Sequence, residues 1–414
     1  MHAGSLKNTR LLSTGFYGII PPMIIFPRRT NWPSESNPLS LLVAGYRHEE
    51  TAFLDLTVSN PTQCGFQYYQ DGLLKSLLNP KNLNYEPNPL GLSAAREAIT
   101  AYYAAQGVKV DPKQIIITAS TSEAYSFAFQ LLFEPGELLL APKPSYPLLE
   151  DLAALHDIRI ERYAMDPNRG WEISLKGHYE MKEADPKALL LVNPNNPTGN
   201  YVHVPELAEL NIFCKKRGVA VISDEVFFDY PLDRKPEPAM HGIPNRHNLA
   251  LVMNGISKIL GLPQMKLSWI IVTGPEPIAC EALRRLEIIS DTYLSTNTPV
   301  QNALPEWFKM QPAIQKEILD RIRNNYRFLK QKLGGGGSVR LFPVEAGWHA
   351  PLQLPSINSD EEWAQIILKK DRVLTHPGYL FDFEEGSYLI VSLIVPETVF
   401  QEGIEKIIKR AAAS

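Results

Sequence analysis

NGISKILGLP, residues 254–263, contains the lysine that decides how the rest of this 414-residue chain is interpreted. Upstream of Lys258, Asp224 follows the apolar run VAVIS, and Asn196 lies within the turn NPNNPTG. Each feature alone has an ordinary explanation. A Ser-Lys pair commonly begins a solvated helix, an acid after an apolar run caps a strand, and Asn-Pro-Thr-Gly forms a turn. The occurrence of all three in one chain therefore carries the argument.

A lysine, a buried acid and a turn amide together supply what a pyridoxal phosphate site needs. The lysine must be desolvated enough to lose its proton and condense with an aldehyde. The acid keeps the pyridine nitrogen protonated, and a neutral donor bonds the phenolic oxygen of the ring. The sequence therefore predicts a pyridoxal phosphate site containing Lys258, Asp224 and Asn196.

On these ordered motifs the chain resembles the class I/II aminotransferases, which are fold-type I pyridoxal phosphate-dependent enzymes. The resemblance extends from about Leu54 to about Lys409. It implies an aminotransferase that moves an amino group between an amino acid, or an amine, and a 2-oxo acid. The small-molecule amino donor and oxo-acid acceptor would react through a Schiff base on Lys258.

Two other functions remain open at this stage. A pyridoxal phosphate-dependent lyase, decarboxylase or racemase would use the same residues, because the bond that breaks depends on what lies perpendicular to the cofactor ring. A non-catalytic regulator could also retain the fold. We expect neither of these functions. The regulator is the less expected of the two, because no DNA-binding domain precedes the motifs and Lys258 is retained.

The segment TASTSEA, residues 118–124, predicts a phosphate-binding turn. It follows an apolar strand and opens a helix, so its amides and the hydroxyls of Ser120, Thr121 and Ser122 would surround a phosphate at the helix N-terminus. The simpler explanation is an N-cap in which Ser120 and Glu123 form a capping box. Both can hold at once, and the resemblance assigns this segment to the cofactor phosphate.

The resemblance also implies roles for residues that spacing alone would not single out. Tyr146 would stack on the pyridine ring and join the catalytic set, although a tyrosine between prolines is otherwise a packed loop residue. Ser257 and Lys266 would bind the cofactor. Tyr85 would reach the phosphate of a neighbouring subunit, and residues 295–297 would cross the same interface. A homodimer with shared active sites is therefore expected.

The chain departs from the family pattern at three positions. Phe227 replaces a tyrosine that commonly bonds the phenolic oxygen, and Lys266 replaces a phosphate-binding arginine. A lysine cannot form the bidentate fork of an arginine, so we expect weaker retention of the phosphate. Ile390 stands where relatives carry the arginine that binds the substrate α-carboxylate. An unpaired carboxylate in a dry site would cost several kcal/mol.

Either another cation binds that carboxylate or the substrate differs. The arm arginines Arg28 and Arg29 are candidates, because arms of related enzymes fold over the site, although surface charge explains either one equally well. Trp348 and His349 lie where relatives line the substrate pocket. A lone histidine is more often a core or surface residue than a catalyst.

Composition agrees with a large globular enzyme. The chain is 44% hydrophobic and 21% charged, and its net charge of −4 gives no electrostatic case for nucleic acid. Its three cysteines lack metal-ligand spacing, so we expect no metal and reduced thiols in the cytoplasm. Residues 11–26 suggest an N-terminal arm rather than a signal peptide, because they contain Pro-Pro and lack a cleavage site. No membrane association is expected.

The fold class predicted is α/β, with an aminotransferase-like arrangement. Short β-branched runs alternate with helical ones, which indicates a large domain with a mostly parallel seven-stranded sheet covered by helices. The predicted strands are 115–118, 138–141, 158–160, 188–192, 219–222, 249–253 and 270–272. A smaller α+β domain follows. The predicted boundaries are 1–54 for the arm and part of the small domain, 55–301 for the large cofactor-binding domain and 302–414 for the small domain.

Overall fold

The computed structural model of the protein describes residues 26–32, 37–68, 70–175, 185–233, 241–242 and 247–413. The chain divides into two compact units, Met1–Ser34 and Glu35–Ser414. In the described part of the first unit, Arg28–Thr30 form a 3₁₀ helix with exposed side chains. Residues 11–25 of the predicted arm lie outside the described residues.

Helices and strands alternate through most of the second unit. The helices described are α1 (Pro38–His48), α2 (Gln70–Lys75), α3 (Ser93–Ala105), α4 (Thr121–Leu132), α5 (Leu148–Leu155), α6 (Val204–Arg217), α7 (Ile256–Ile259), α8 (Glu276–Tyr293), α9 (Thr298–Leu333), α10 (Asp360–Asp371) and α11 (Glu397–Ala412). The strands are β1 (Leu54–Asp55), β2 (Ile115–Thr118), β3 (Leu138–Lys143), β4 (Arg159–Asp166), β5 (Glu172–Ser174), β6 (Ala188–Val192), β7 (Ala220–Asp224), β8 (Ala250–Gly255), β9 (Ser268–Thr273), β10 (Arg340–Leu341), β11 (His349–Leu354), β12 (Val373–Leu374), β13 (His376–Pro377) and β14 (Ser387–Ser392).

The largest sheet has the strand order β2-β9-β8-β7-β6-β3-β4-β5. Strands β4, β3, β6, β7 and β8 run parallel to one another, while β9 is antiparallel to both β8 and β2, and β5 is antiparallel to β4. All seven predicted strands are present. The predicted number is one short, because β5 adds an eighth strand at the edge.

Both faces of this sheet are buried, because helices cover each of them. Alternate residues of β2 point into different cores: Ile116 packs in a cluster with α4 and α8, whereas Ile115 and Ile117 pack in a cluster with α3 and α9. Every residue of β6, β7, β8 and β9 is buried. A continuous apolar run is typical of a strand that is covered on both faces.

Three parallel strands end side by side, and their ends carry the predicted cofactor residues. Asp224 at the end of β7 lies opposite Val192 at the end of β6 and Met253 of β8. The turn containing Asn196 follows β6, and α7 with Lys258 follows β8. In open α/β sheets ligands bind beyond the carboxyl ends of the strands. The topology therefore brings the three motifs to one edge.

A second, antiparallel sheet has the strand order β10-β11-β14-β13. In the chain, α9 precedes its strands, α10 lies between β11 and β13, and α11 follows β14. Strand β1 pairs with β12 in parallel, and the carbonyl of Leu56 accepts a hydrogen bond from the Ser392 amide at 2.8 Å. The segment after β1 is thus attached to this sheet. The predicted boundary at residue 301 falls inside α9, so the domain limits stay a prediction.

Among the described residues, no helix combines the length and apolar character required to cross a membrane.

Candidate cofactor and substrate site

Lys258 lies in the single turn of α7, directly after the buried strand β8. Gly255 makes this position possible, because a Cβ there would lie 2.1 Å from the Ser268 Oγ of the neighbouring strand β9. The backbone of the lysine is also fixed by a hydrogen bond, which the Tyr230 hydroxyl donates to the Lys258 carbonyl. Close strand packing and this hydrogen bond therefore fix where the side chain begins.

The amine of Lys258 is enclosed by aromatic rings. Its Nζ lies 4.7 Å from the ring centroid of Trp348 and 5.1 Å from that of Phe227. Burial lowers the pKa of the Lys258 ammonium to about 8, although the charges of Asp224 and Cys64 oppose this shift. Desolvation disfavours the charged form. A lysine in this environment loses its proton far more readily than one on the surface, as a nucleophilic amine requires.

Asp224 presents a buried carboxyl group at the end of β7. Oδ2 accepts a hydrogen bond from the Tyr125 hydroxyl at 2.9 Å, and Oδ1 accepts one from the Val226 amide at 3.2 Å. Burial raises the pKa of Asp224 to about 6 in spite of these two hydrogen bonds. The amide bond is that of a strand-end cap. The bond from Tyr125 comes from helix α4, so the carboxyl is also fixed by the element that carries the predicted phosphate turn.

The side-chain oxygen of Asn196 is unsatisfied within the protein. Its Oδ1 is buried without a hydrogen-bond partner among the described residues. The neighbouring Asn195 holds the turn instead, because its amide donates to the Pro144 carbonyl at 3.2 Å and to Thr198 Oγ1 at 2.7 Å. Buried polar groups without partners are rare and need an explanation. A ligand that donates a hydrogen bond to this oxygen would provide one.

The predicted phosphate turn opens α4. Ser120 is the N-cap, and its Oγ accepts a hydrogen bond from the Glu123 amide at 3.1 Å. The predicted capping box forms only in part, because the Glu123 carboxylate accepts from the Ala119 amide and not from that of Ser120. Thr121 is half-buried and Ser122 is exposed. Their amides belong to the first helical turn, where backbone donors lack acceptors within the helix.

The turn at the start of α4 adjoins the lysine-bearing segment. Thr121 Oγ1 and Ser268 Oγ lie 3.3 Å apart, and Ser268 pairs with Gly255 in the sheet. Ser257, next to Lys258, is half-buried. The structure thus brings the predicted phosphate residues together with the start of α7.

Three further predicted residues occupy distinct positions. The Tyr146 ring lies 6.1 Å from that of Tyr125, which itself bonds Asp224. Lys266 is exposed and adopts a left-handed conformation with φ of 55° immediately before β9. Tyr85 is 75% exposed. The position of Tyr85 leaves its predicted role across a subunit interface as a prediction.

The substrate residues predicted from sequence have mixed outcomes. Trp348 is fully buried and contacts the Lys258 amine, as a residue lining the pocket would. Arg28 and Arg29 belong to the separate first unit, so their predicted contact with a carboxylate stays a prediction. Ile390 is fully buried in β14.

Sequence reasoning missed two groups of residues. Tyr125 and Tyr230 fix Asp224 and Lys258, but a tyrosine within an apolar helix or loop carries no signal of this role. His376 and Ser392 lie near His349 on the small sheet, and only the strand register shows their proximity. No group of three or more potential metal ligands occurs among the described residues.

The residues present fit pyridoxal phosphate. Lys258 offers a desolvated amine and Asp224 a buried carboxyl group, and Asn196, in the turn after β6, carries a side-chain NH₂ of the kind that can donate to a phenolic oxygen. When bound, the cofactor supplies an aldehyde for the amine and a ring that accepts electrons from the substrate.

Comparison with known proteins decides the family. The family described as aminotransferase class I and II matches residues 59–407. The chain belongs to this family. Members depend on pyridoxal phosphate, so the protein is a pyridoxal phosphate-dependent aminotransferase of class EC 2.6.1.-. The comparisons give no support to a lyase or decarboxylase.

Individual relatives agree with this assignment. The glutamate-pyruvate aminotransferase AlaA of Haemophilus influenzae is 25% identical over 375 residues, which cover 87% of this chain and 90% of AlaA. A probable aminotransferase, TAT1 of Arabidopsis thaliana, is 30% identical over 82% of this chain and 77% of its own length. The structure of alanine aminotransferase from Pyrococcus furiosus is similar with a TM-score of 0.82 at 22% identity, covering 92% of this chain and 98% of that one. This similarity of structure confirms the predicted fold class.

Proposed function

We propose that this aminotransferase attaches its cofactor through Lys258. The observation that carries the proposal is the environment of the amine, which lies between the rings of Trp348 and Phe227 and whose pKa burial lowers to about 8. A surface lysine would remain protonated at neutral pH and would not attack an aldehyde. The ends of strands β6, β7 and β8 provide the remaining groups around it.

Asp224 pairs with the pyridine nitrogen in this proposal. A cation against its carboxylate favours the charged form and offsets the cost of burial. Asn196 bonds the phenolic oxygen, and Tyr146 packs against the ring. The phosphate is bound by residues at the starts of two helices and before β9, namely Ser120, Thr121, Ser122, Ser257 and Lys266.

The proton on the substrate Cα is moved by Lys258 itself. Once the substrate amine displaces it, the freed amine becomes a base within the same dry pocket, and no second base is required. Trp348 and Phe227 exclude water from this amine, so the amine accepts its proton from the substrate rather than from water. Phe227 offers no hydroxyl to the phenolic oxygen, so Asn196 is the donor there.

The substrates we propose are an amino acid and a 2-oxo acid. Relatives of this chain are named for glutamate and pyruvate, for alanine and for tyrosine. These names support amino-acid and oxo-acid substrates for this chain as well.

We also propose that the enzyme is a homodimer of the cytoplasm. Leu78, Leu83 and Tyr85 are 80%, 90% and 75% exposed within a short segment, and a partner subunit would cover these apolar side chains. This segment contains the tyrosine expected to reach the partner's phosphate. The three cysteines are free thiols, which supports a reducing compartment.

The test is covalent fixation of the cofactor. The protein as purified with pyridoxal phosphate should be yellow, and borohydride should reduce the linkage so that peptide mapping finds the label on Lys258. Lys258→Ala should bind the cofactor without a borohydride-stable label. Lys316→Ala is the matched control, because this lysine is exposed on α9 and is not among the proposed cofactor-binding residues. Label on another residue in the wild type would overturn the assignment.

A further inference from the structure

One face of the small sheet carries two histidines and a serine. Strand register places His349 opposite Ser392 and places both Pro351 and His376 opposite Ile390. Residues that lie opposite one another in an antiparallel sheet share a face, and so do residues two apart along one strand. The side chains of His349, His376 and Ser392 therefore surround Ile390 on the same face.

One polar atom in each of these three side chains lacks a partner. The Nε2 atoms of His349 and His376 and the Oγ of Ser392 are buried without a hydrogen-bond partner among the described residues. Ser392 is fully buried and His349 is 5% exposed. A buried polar atom without a partner costs about 1–3 kcal/mol, so three in one place indicate a site that a ligand completes.

This face adjoins the Lys258 amine. The ring centroids of His349 and Phe227 lie 6.2 Å apart, and the Phe227 centroid lies 5.1 Å from Lys258 Nζ. The Phe381 ring lies 6.2 Å from His349 and 5.8 Å from His376, so it joins the two histidines. A substrate whose amine reaches Lys258 would extend toward this cluster.

We propose that His349, His376 and Ser392 bind the carboxylate of the substrate. They would replace the arginine that relatives carry at the position of Ile390. The inference rests on the proposed function, because it takes Lys258 as the point where the substrate amine reacts. Arg162, whose charge reaches Tyr146, is already paired with Glu150 and Asp382.

His376 is the member that becomes charged. Burial lowers the pKa of His376 to about 4, but the carboxylate of Asp55 and the backbone of Thr57 both favour its imidazolium form. Burial lowers the pKa of His349 to about 3, and the charges of His376 and Lys258 lower it further. Both rings are neutral at pH 7 without ligand. A bound carboxylate brings one negative charge, which stabilises one added proton on His376.

His349 then acts as a neutral donor through Nε2, and Ser392 donates its hydroxyl. Carboxylate binding is thus coupled to the uptake of one proton from solvent. For a group whose pKa rises on binding, affinity falls as pH rises, by about tenfold per pH unit between the free and bound pKa values.

The test uses butyrate, a carboxylate without an amine, and butyramide, its neutral counterpart, with the cofactor-loaded enzyme. Calorimetry in two buffers of different ionisation enthalpy should show one proton taken up per butyrate bound and none per butyramide. Chromophore absorbance, read in the same titration, accounts for any proton taken up at Lys258. His376→Asn should abolish the remaining uptake and weaken butyrate at least tenfold at pH 6. His349→Asn should weaken butyrate but retain the uptake.

His48→Asn, an exposed histidine at the end of α1, is the control and should bind butyrate as the wild type does. Equal binding of butyrate and butyramide by the wild type would overturn the proposal, and so would proton uptake that persists in His376→Asn. The wild-type comparison decides the matter even if a variant fails to fold. Borohydride labelling of Lys258 is independent of these measurements, so failure of the proposed function would be recognised separately.

Discussion

Burial acts in opposite directions on the two charged residues of the site. It lowers the pKa of Lys258 to about 8 and raises that of Asp224 to about 6, because the charged form is disfavoured in each case. Their mutual attraction opposes both shifts without cancelling them. At pH 7 both residues are still mainly charged, but each changes its protonation state more readily than an exposed residue of its type.

Asp224→Asn tests the role of this carboxyl group. An amide cannot hold the pyridine nitrogen protonated, so turnover should fall by roughly 10²-fold or more while the cofactor still binds. Tyr125→Phe is the graded comparison. It removes one hydrogen bond to the carboxylate, worth about 1.5–3 kcal/mol, but keeps the carboxylate, so it should lower turnover less than Asp224→Asn does. Near-normal turnover of Asp224→Asn would leave the residue as a strand-end cap.

The sequence was most informative where a residue follows a buried strand. Lys258, Asp224 and Asn196 each lie just beyond an apolar run, and the parallel order of those runs brings their ends together. His376 gave no comparable signal. It lies in a two-residue strand, and its position near His349 depends on pairing through β14, which the local sequence does not specify.

At the scale of elements, the sequence predicted the strands that contain an apolar run but not the strand at the edge of the large sheet. Strand β6 was predicted at its observed limits, residues 188–192, because all of its residues are buried and apolar. Strand β5 was missed because its three residues are half-buried or exposed, so no apolar run marks it. Helix α9 continues through the predicted domain boundary at residue 301, so no end of a helix marks that boundary.

Substitution of Ser120, the N-cap of α4, can distinguish a structural role of this residue from a role in cofactor binding. Ser120→Ala should destabilise the protein by about 1 kcal/mol through loss of the cap. We expect it also to weaken pyridoxal phosphate by about tenfold or more, because a hydrogen bond to a charged phosphate is lost. Ser359→Ala removes a matched cap from α10, which lies in the small domain predicted from sequence.

Urea unfolding and equilibrium dialysis against the cofactor distinguish the two roles. Both variants should lose similar stability, and only Ser120→Ala should lose affinity. If both bind the cofactor equally well, Ser120 is a cap and nothing more.

At the scale of the whole molecule, the buried histidines should make stability depend on pH. The pKa of His349 is about 3 in the folded protein and 6.5 ordinarily, so the unfolded chain binds an extra proton below pH 6.5. Stability is therefore lost as pH falls from 6.5 toward 3. Relative to His349→Asn, the wild type should lose about 2 kcal/mol between pH 7 and pH 5.

Urea unfolding of both proteins at the two pH values measures this difference. The comparison removes the contribution of Asp224, whose raised pKa acts in the opposite direction in both proteins. A pH-independent difference between the two proteins would show that His349 titrates normally in the folded state.

The assembly of two chains should place Tyr85 of one subunit at the cofactor phosphate of the other. Tyr85 is 75% exposed in the single chain, and Leu83, two residues earlier, is 90% exposed. Lys258→Ala removes the amine of its own site, and Tyr85→Asp would repel the phosphate in the partner's site. Each variant alone should be inactive at limiting cofactor.

Mixing the two inactive variants should restore activity. In a mixed dimer one site carries both substitutions, whereas the other has an intact Lys258 from one chain and an intact Tyr85 from its partner. Random exchange at equal concentrations makes half of the dimers mixed, so about a quarter of all sites should work. The measurement is activity against time after mixing, with dimer formation followed by light scattering. Dimers that exchange subunits without regaining activity would place Tyr85 in its own subunit's site or outside the site altogether.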